Sequence, residues 1–203
     1  MQNLNAVRHA FADAPEMEMR QTWLPAPEKE FLPAKVQIGW REDRLLVFAE
    51  LTSNGPYNQA TMNNQLLWCL GDVLEIFLRD EEFDNYVEFH VSPNGLRLQL
   101  LFPGTSVFKQ VSDNEKGIED LMSDRREFDF CNWVEDKNWT ICASIPSSLF
   151  LPLGTALEGR KWRASFSRYD YSSPDGTPVL SSTSPHVELS FHRQQEWAHI
   201  EFR

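Results

Sequence analysis

The sequence predicts an all-β fold: an antiparallel β-sandwich of about ten strands, immunoglobulin- or jelly-roll-like, with one or two short helices. Three observations carry this expectation. Apolar and polar residues alternate with period two over many short runs. Turn residues bound those runs, drawn largely from 12 Pro and 9 Gly. The length, 203 residues, suits one sandwich with a core large enough to need no covalent staples.

Residues 1–34 read as an irregular N-terminal lead-in packed on the body. Pro15, Pro25, Pro27 and Pro33 interrupt it, Trp23 and Phe31 pin it down, and Met17 to Trp23 offers one edge strand. Residues 35–203 form the sandwich. Lys35 to Trp40 is a strand, with Val36, Ile38 and Trp40 alternating, and Arg41-Glu42-Asp43 turns it into Arg44 to Leu51. Residues 52–67 are a polar loop containing Asn54-Gly55-Pro56 and Tyr57.

Three central strands follow. In Asp72 to Arg79, Leu74, Ile76 and Leu78 share one face and Val73, Glu75 and Phe77 the other. In Tyr86 to Val91, Val87, Phe89 and Val91 alternate with Tyr86, Glu88 and His90. Ser92-Pro93-Asn94-Gly95 is a tight turn, because Asn and Gly tolerate positive φ. In Leu96 to Phe102, Leu96, Leu98, Leu100 and Phe102 share a face. The pattern predicts a half-buried sheet whose single apolar face needs a second layer.

Ser106 to Val111 reads as a strand and Asn114 to Met122 as a short helix. Phe128 to Val134 and Asn138 to Ile145 form a hairpin that turns at Glu135-Asp136-Lys137. Pro146 to Phe150 opens one helical turn, since Pro fits a first turn. Lys161 to Tyr169 is a strand, residues 170–186 are a long loop, and Trp197 to Phe202 closes the chain.

Charge and cysteine content exclude several classes. A net charge of -11 argues against nucleic acid and against an anionic membrane surface. No run is long enough to span a membrane and the N-terminus carries no apolar export segment. The chain as written is therefore expected in the cytoplasm, or outside it if a signal was removed. Cys69, Cys131 and Cys142 lack metal-ligand spacing and read as small buried apolar residues. The sequence leaves the oligomeric state unknown.

Two constellations carry chemistry. Glu75 and Glu88 lie on adjacent strands and read as a structural polar core paired with a buried arginine, Arg168 above all. A glycosidase pair is the catalytic alternative. The second constellation is aromatic. Trp68, Tyr57, Tyr171 and Phe191 lie in or beside loops, where rings can stack on sugar faces. Carboxylates at Asp80, Glu81, Glu82 and Asp84, or at Asp170 and Asp175, could supply oxygen ligands to calcium. His90 and His192 read as structural.

Taken in order, several segments resemble family 9 carbohydrate-binding modules. Asp72-Val73-Leu74-Glu75-Ile76-Phe77-Leu78, Tyr86-Val87-Glu88-Phe89 and Ser92-Pro93-Asn94-Gly95 are similar to the family's central strands. Trp139 with Ile145-Pro146 is similar to its W…IP segment. Lys161 to Asp170 resembles its W-R-x-N-F-x-R strand, with Ser165 where Asn is usual. Phe191-His192 and Trp197-Ala198-His199-Ile200 resemble its C-terminal pattern, with Trp197-Ala198 in place of Phe-Gly. The resemblance implies a sandwich related to DOMON-type domains, which bind sugar or haem, and non-catalytic capture of a mono- or oligosaccharide between two rings. Trp68 and Phe191 match those rings, although three residues separate Trp68 from Asp72 where the family commonly has two. The resemblance also allows structural calcium and an association with glycoside hydrolases. A haem-binding domain, a stand-alone glycoside hydrolase using Glu75 and Glu88, and a sandwich that has lost its sugar site remain open alternatives.

Overall fold

A computed structural model of the chain describes residues 3–123, 128–152, 155–172 and 176–202. Two antiparallel sheets face each other. The strands are β1 Glu16–Glu18, β2 Ala34–Arg41, β3 Arg44–Thr52, β4 Val73–Asp80, β5 Tyr86–Val91, β6 Arg97–Phe102, β7 Asp129–Glu135, β8 Asn138–Pro146, β9 Lys161–Asp170, β10 Val179–Ser182 and β11 Ala198–Glu201. The helices are α1 Leu4–Ala10 and α2 Val107–Ser112. One sheet runs β1-β2-β3-β8-β7, the other β10-β9-β4-β5-β6, and β11 joins the second beside β10, along β9.

The core between the sheets follows from alternation. Val36, Val47, Ala49, Ile141 and Ile145 of the first sheet meet Leu74, Ile76, Val87, Phe89, Ala164 and Phe166 of the second. Trp139 and Trp162, fully buried, fill the same layer. Each Val, Leu, Ile or Phe among them contributes roughly 1.5–3 kcal/mol through removal from water.

The half-buried expectation for the central strands is corrected. Every residue of β5 is buried, and all of β4 is buried apart from partly exposed Arg79. Register explains this. Glu88 pairs with Leu100, His90 with Leu98 and Tyr86 with Phe102. The apolar set of β6 therefore lies on the outer face, beside Glu75, Glu88 and His90, and not with Leu74 and Val87. A second apolar layer covers that face, with Leu67, Val73, Phe77, Leu98, Phe191 and Trp197 among its buried members.

Other local expectations change as well. The run expected as a strand from Ser106 to Val111 is instead the helix Val107–Ser112 with Ser106 at its N-cap, because Val107 and Val111 are four apart and Phe108 joins them on one face turned to the outer layer. The 170–186 loop contains β10, a four-residue edge strand. The lead-in contributes α1 and a three-residue β1, and is not irregular throughout. Cys69 is exposed, while Cys131 and Cys142, opposite each other on β7 and β8, are only partly buried.

Arg168 lies on the inner face, opposite Leu74, and is 1% exposed. Its expected partners, Glu75 and Glu88, point to the other face. Its partner is Asp170, with Nη2 2.9 Å from Oδ2. Nη1 donates to the Thr52 carbonyl of the opposite sheet at 2.7 Å, so Arg168 ties the layers together at one end.

Candidate functional site

A cavity of about 520 Å³ opens on the outer face of the second sheet. Its floor is made by alternate residues of β4 and β5, and β6 and β9 extend it with Leu100, Phe102 and Tyr169. The loop before β4 contributes Trp68, the segment before β11 contributes Phe191 and His192, and α2 leans over it with Phe108. Trp68 and Phe191, distant in sequence, thus line one cavity. Trp68 is partly exposed, whereas Phe191 is 6% exposed and packs edge-on against Phe77, Trp23 and Tyr169.

The three residues between Trp68 and Asp72 are taken up by a 3-10 turn, Leu67–Cys69, and by Gly71. Gly71 has φ 142° and forms an isolated bridge with Asn58. A Cβ there would meet the Tyr57 carbonyl oxygen at 2.5 Å and Asn58 Cα at 2.7 Å. Both obstacles are backbone, which cannot swing aside. Asn58 Nδ2 donates to the Leu67 and Asp72 carbonyls at 2.9 and 3.1 Å, fastening the turn that carries Trp68. Gly71→Ala is expected to destabilise the fold by about 2–3 kcal/mol and to disturb the Trp68 turn. Thermal melting with the tryptophan near-UV signal checks this, and a wild-type melt would contradict it.

Tyr57 and Tyr171 are not among the cavity-lining residues. They meet edge to face at 6.3 Å beside the Trp68 turn. The Tyr171 hydroxyl donates to the Trp68 carbonyl at 2.6 Å. Asp72 joins the two loops, its Oδ2 accepting from Tyr57 N–H at 3.0 Å and its Oδ1 from Tyr171 N–H at 3.4 Å. Burial pushes the Asp72 carboxyl up to about 6.

The floor of the cavity is polar. His90 sits between the two glutamates: Nδ1 lies 3.5 Å from Glu75 Oε1, and Nε2 lies 3.2 Å from Glu88 Oε2. His192 Nδ1 lies 3.2 Å from Glu88 Oε1 and 3.0 Å from the Tyr86 hydroxyl. Its ring stacks on Phe108 at 3.6 Å, and Trp68 meets His90 edge to face at 5.3 Å. Burial drives all four groups toward neutrality. It raises Glu75 to about 8 and lowers His90 and His192 to about 3. Burial and the neighbouring Glu75 carboxylate raise Glu88 well above its ordinary range. The floor thus offers carboxyl O–H donors and imidazole acceptors in a dry setting.

The histidines escaped the sequence reading as site residues. A signal was present: alternation puts His90 on the face of Glu88, and pairing β5 with β4 puts Glu75 opposite it. His192, within a non-strand segment, carried no such signal.

The acidic turn at the end of β4 is engaged by basic side chains. Asp80 and Glu82 pair with Arg160, Glu81 with Arg163 and His199, and Asp84 with Arg79. Asp170 is held by Arg168, and Asp175 lies outside the described residues. Among the described residues no three His, Cys, Asp or Glu side chains are grouped to hold a metal. No helix among them is long and apolar enough to cross a membrane.

Fold and cavity together define a class: an antiparallel β-sandwich with a ring-lined hollow on the outer face of one sheet. No family model matches the chain, and no curated protein sequence matches it. Among solved structures, it is similar to a provisionally named carbohydrate-binding protein from Bacteroides uniformis, with TM-score 0.74, 14% identity, and coverage of 98% of this chain and 91% of that one. It is also similar to a family 9 carbohydrate-binding module from Caldicellulosiruptor kristjanssonii in complex with cellotriose, with TM-score 0.62, 14% identity, and coverage of 96% and 85%. A family 9 module from the same organism in complex with glucose gives TM-score 0.60 and 13% identity, covering 96% of this chain and 86% of that one. At such identities the likeness is one of fold.

Proposed function

We propose that this protein is a non-catalytic sugar-binding sandwich whose site is the cavity over β4 and β5. The observation that carries the reading is the meeting of Trp68 and Phe191 in one hollow, above a floor of buried hydrogen-bonding groups. Flat rings cover the apolar face of a pyranose, and the carboxyl and imidazole groups match its hydroxyls. In this reading Trp68 is the stacking ring at the mouth and Phe191 the ring on the wall. Tyr171 positions Trp68 through its carbonyl, and exposed Tyr57 extends the rim. The solved modules in complex with glucose and cellotriose support a sugar as the ligand class.

A glycosidase pair finds less support. Glycosidase carboxyls flank the scissile bond. Glu75 and Glu88 rise from one wall with His90 between them, so neither approaches a ligand from the opposite side.

The test is a calorimetric screen of mono- and disaccharides. Binding near the millimolar range is expected for a ligand of this size. Trp68→Ala is expected to weaken it about tenfold, since stacking and lost apolar contact together approach 1.4 kcal/mol. Its melting curve should stay near wild type, because Trp68 is partly exposed. A screen with no binder, or binding indifferent to Trp68→Ala, would remove the reading.

A further inference from the structure

The floor of the cavity lacks a permanent positive charge. Among the described residues, two carboxyl side chains line it, Glu75 at 4% and Glu88 at 2% exposure, and no lysine or arginine does. A buried carboxylate without a cation is expensive, so such groups are ordinarily paired. Here the basic neighbours are two imidazoles that burial holds neutral. Two atoms of the floor, Glu88 Oε1 and His90 Nδ1, are buried without a hydrogen bond from the protein. Around them stand aromatic rings, Trp68, Phe102, Phe108 and Phe191 among them. Carboxylates below and ring faces around are the two features that attract an organic cation from water. The overall charge of -11 acts in the same direction at longer range.

We infer that the ligand of this cavity carries a protonated amine: a sugar with a free amino group, bound in preference to its neutral or N-acetylated parent. The inference rests on the sugar-binding reading and narrows its substrate class. The ammonium supplies three donors and the missing charge, and Glu75 and Glu88 are the acceptors. A neutral hydroxyl at the same point brings no charge, and an acetamide adds bulk while removing it.

A linked proton follows. Burial raises both carboxyls, Glu75 to about 8, so that Glu75 holds its proton at mildly acidic to neutral pH. An ammonium beside them favours the ionised form, so binding releases a proton to solvent. The titratable groups facing the pair are His90 and Tyr86 on β5, Tyr169 on β9, His192 before β11 and Cys69 in the Trp68 turn. All but the imidazoles titrate above this range, and burial holds the imidazoles below it.

The experiment is calorimetric titration of the intact chain with glucosamine, glucose, N-acetylglucosamine and tetramethylammonium. It is run at mildly acidic pH in two buffers of different ionisation enthalpy. Expected are glucosamine binding at least tenfold tighter than glucose or N-acetylglucosamine, and proton release with glucosamine alone. Glu75→Gln and Glu88→Gln, each checked by its melting curve, should bring the affinity for glucosamine down toward that for glucose in the same variant and diminish the proton release. Equal binding of glucose and glucosamine would overturn the inference and leave the sugar-binding reading standing. Tetramethylammonium binding as tightly as glucosamine, with glucose silent, would make the hollow a simple cation site and overturn both. Silence from all four would also overturn both.

Discussion

Arg168→Ala is expected to remove about 3–5 kcal/mol of folding stability, the usual consequence of orphaning one partner of a buried ion pair. Arg168 is 1% exposed, and Asp170 and Asp72, the carboxyls around it, are 2% and 1% exposed. Truncation leaves both acids without their cation and strips the Thr52 carbonyl of its donor from the opposite sheet. The loss thus falls on the contact between sheets as well as on charge. A denaturant melt measures it, and an unchanged midpoint would contradict the placement of Arg168. The paired change Arg168→Met with Asp170→Asn is expected to cost less than the single one, because it removes both charges together.

The second large effect is a pH dependence. Glu75 keeps its proton in the folded protein up to about 8, whereas its ordinary value is 4.5. Between those values the folded state binds the extra proton, so this group's contribution to stability falls as pH rises and is lost above 8. Glu88 is raised for the same reason and acts in the same direction. His90 and His192 act oppositely. Lowered from 6.5 to about 3, they refuse protons that the unfolded chain accepts, so stability falls as pH drops through that range. The two trends oppose between 4.5 and 6.5, and the cluster is most stable there. Glu75→Gln cannot ionise. It is therefore expected to gain roughly 3–5 kcal/mol on wild type at alkaline pH, and nearly nothing near pH 5. Melting curves of the two proteins at several pH values check this. Parallel stability profiles would mean that Glu75 is not buried as described.

The strands of the sandwich were legible because alternation is local. Leu74, Ile76 and Leu78 declare one face of a strand without reference to anything else. The phase between strands is not local. Whether Leu98 and Leu100 share a side with Val87 or with Glu88 depends on the register across the Ser92–Gly95 turn, so the second apolar layer stayed hidden. Val107, Phe108 and Val111 fit a strand and a helix equally well in so short a run, and the helix won by covering that layer. Val179–Ser182 escaped because four residues at a sheet edge carry too few alternations to register. Within the site, Trp68 and Phe191 could be linked only through resemblance to known modules, since nothing in their own segments says that the two loops meet. Arg168 was readable as inward-pointing from Trp162 and Phe166. Its acid was not, because Asp170 stands two residues along the same strand and was weighed only as a candidate calcium ligand.

The burial of both faces of β4 and β5 gives position parity the force of an address. Residues 74, 76, 78, 87, 89 and 91 belong to the sandwich interior, and residues 73, 75, 77, 86, 88 and 90 to the outer face, where 75, 88 and 90 line the hollow and the others join the apolar layer around it. A combinatorial library confined to the second set would explore ligand chemistry while the interior stays as it is. Paired substitutions drawn from opposite sets should combine additively, since the backbone plane separates their partners. For anyone re-aiming this scaffold at a different small molecule, the two strands can be edited as two independent texts written on the two sides of one page.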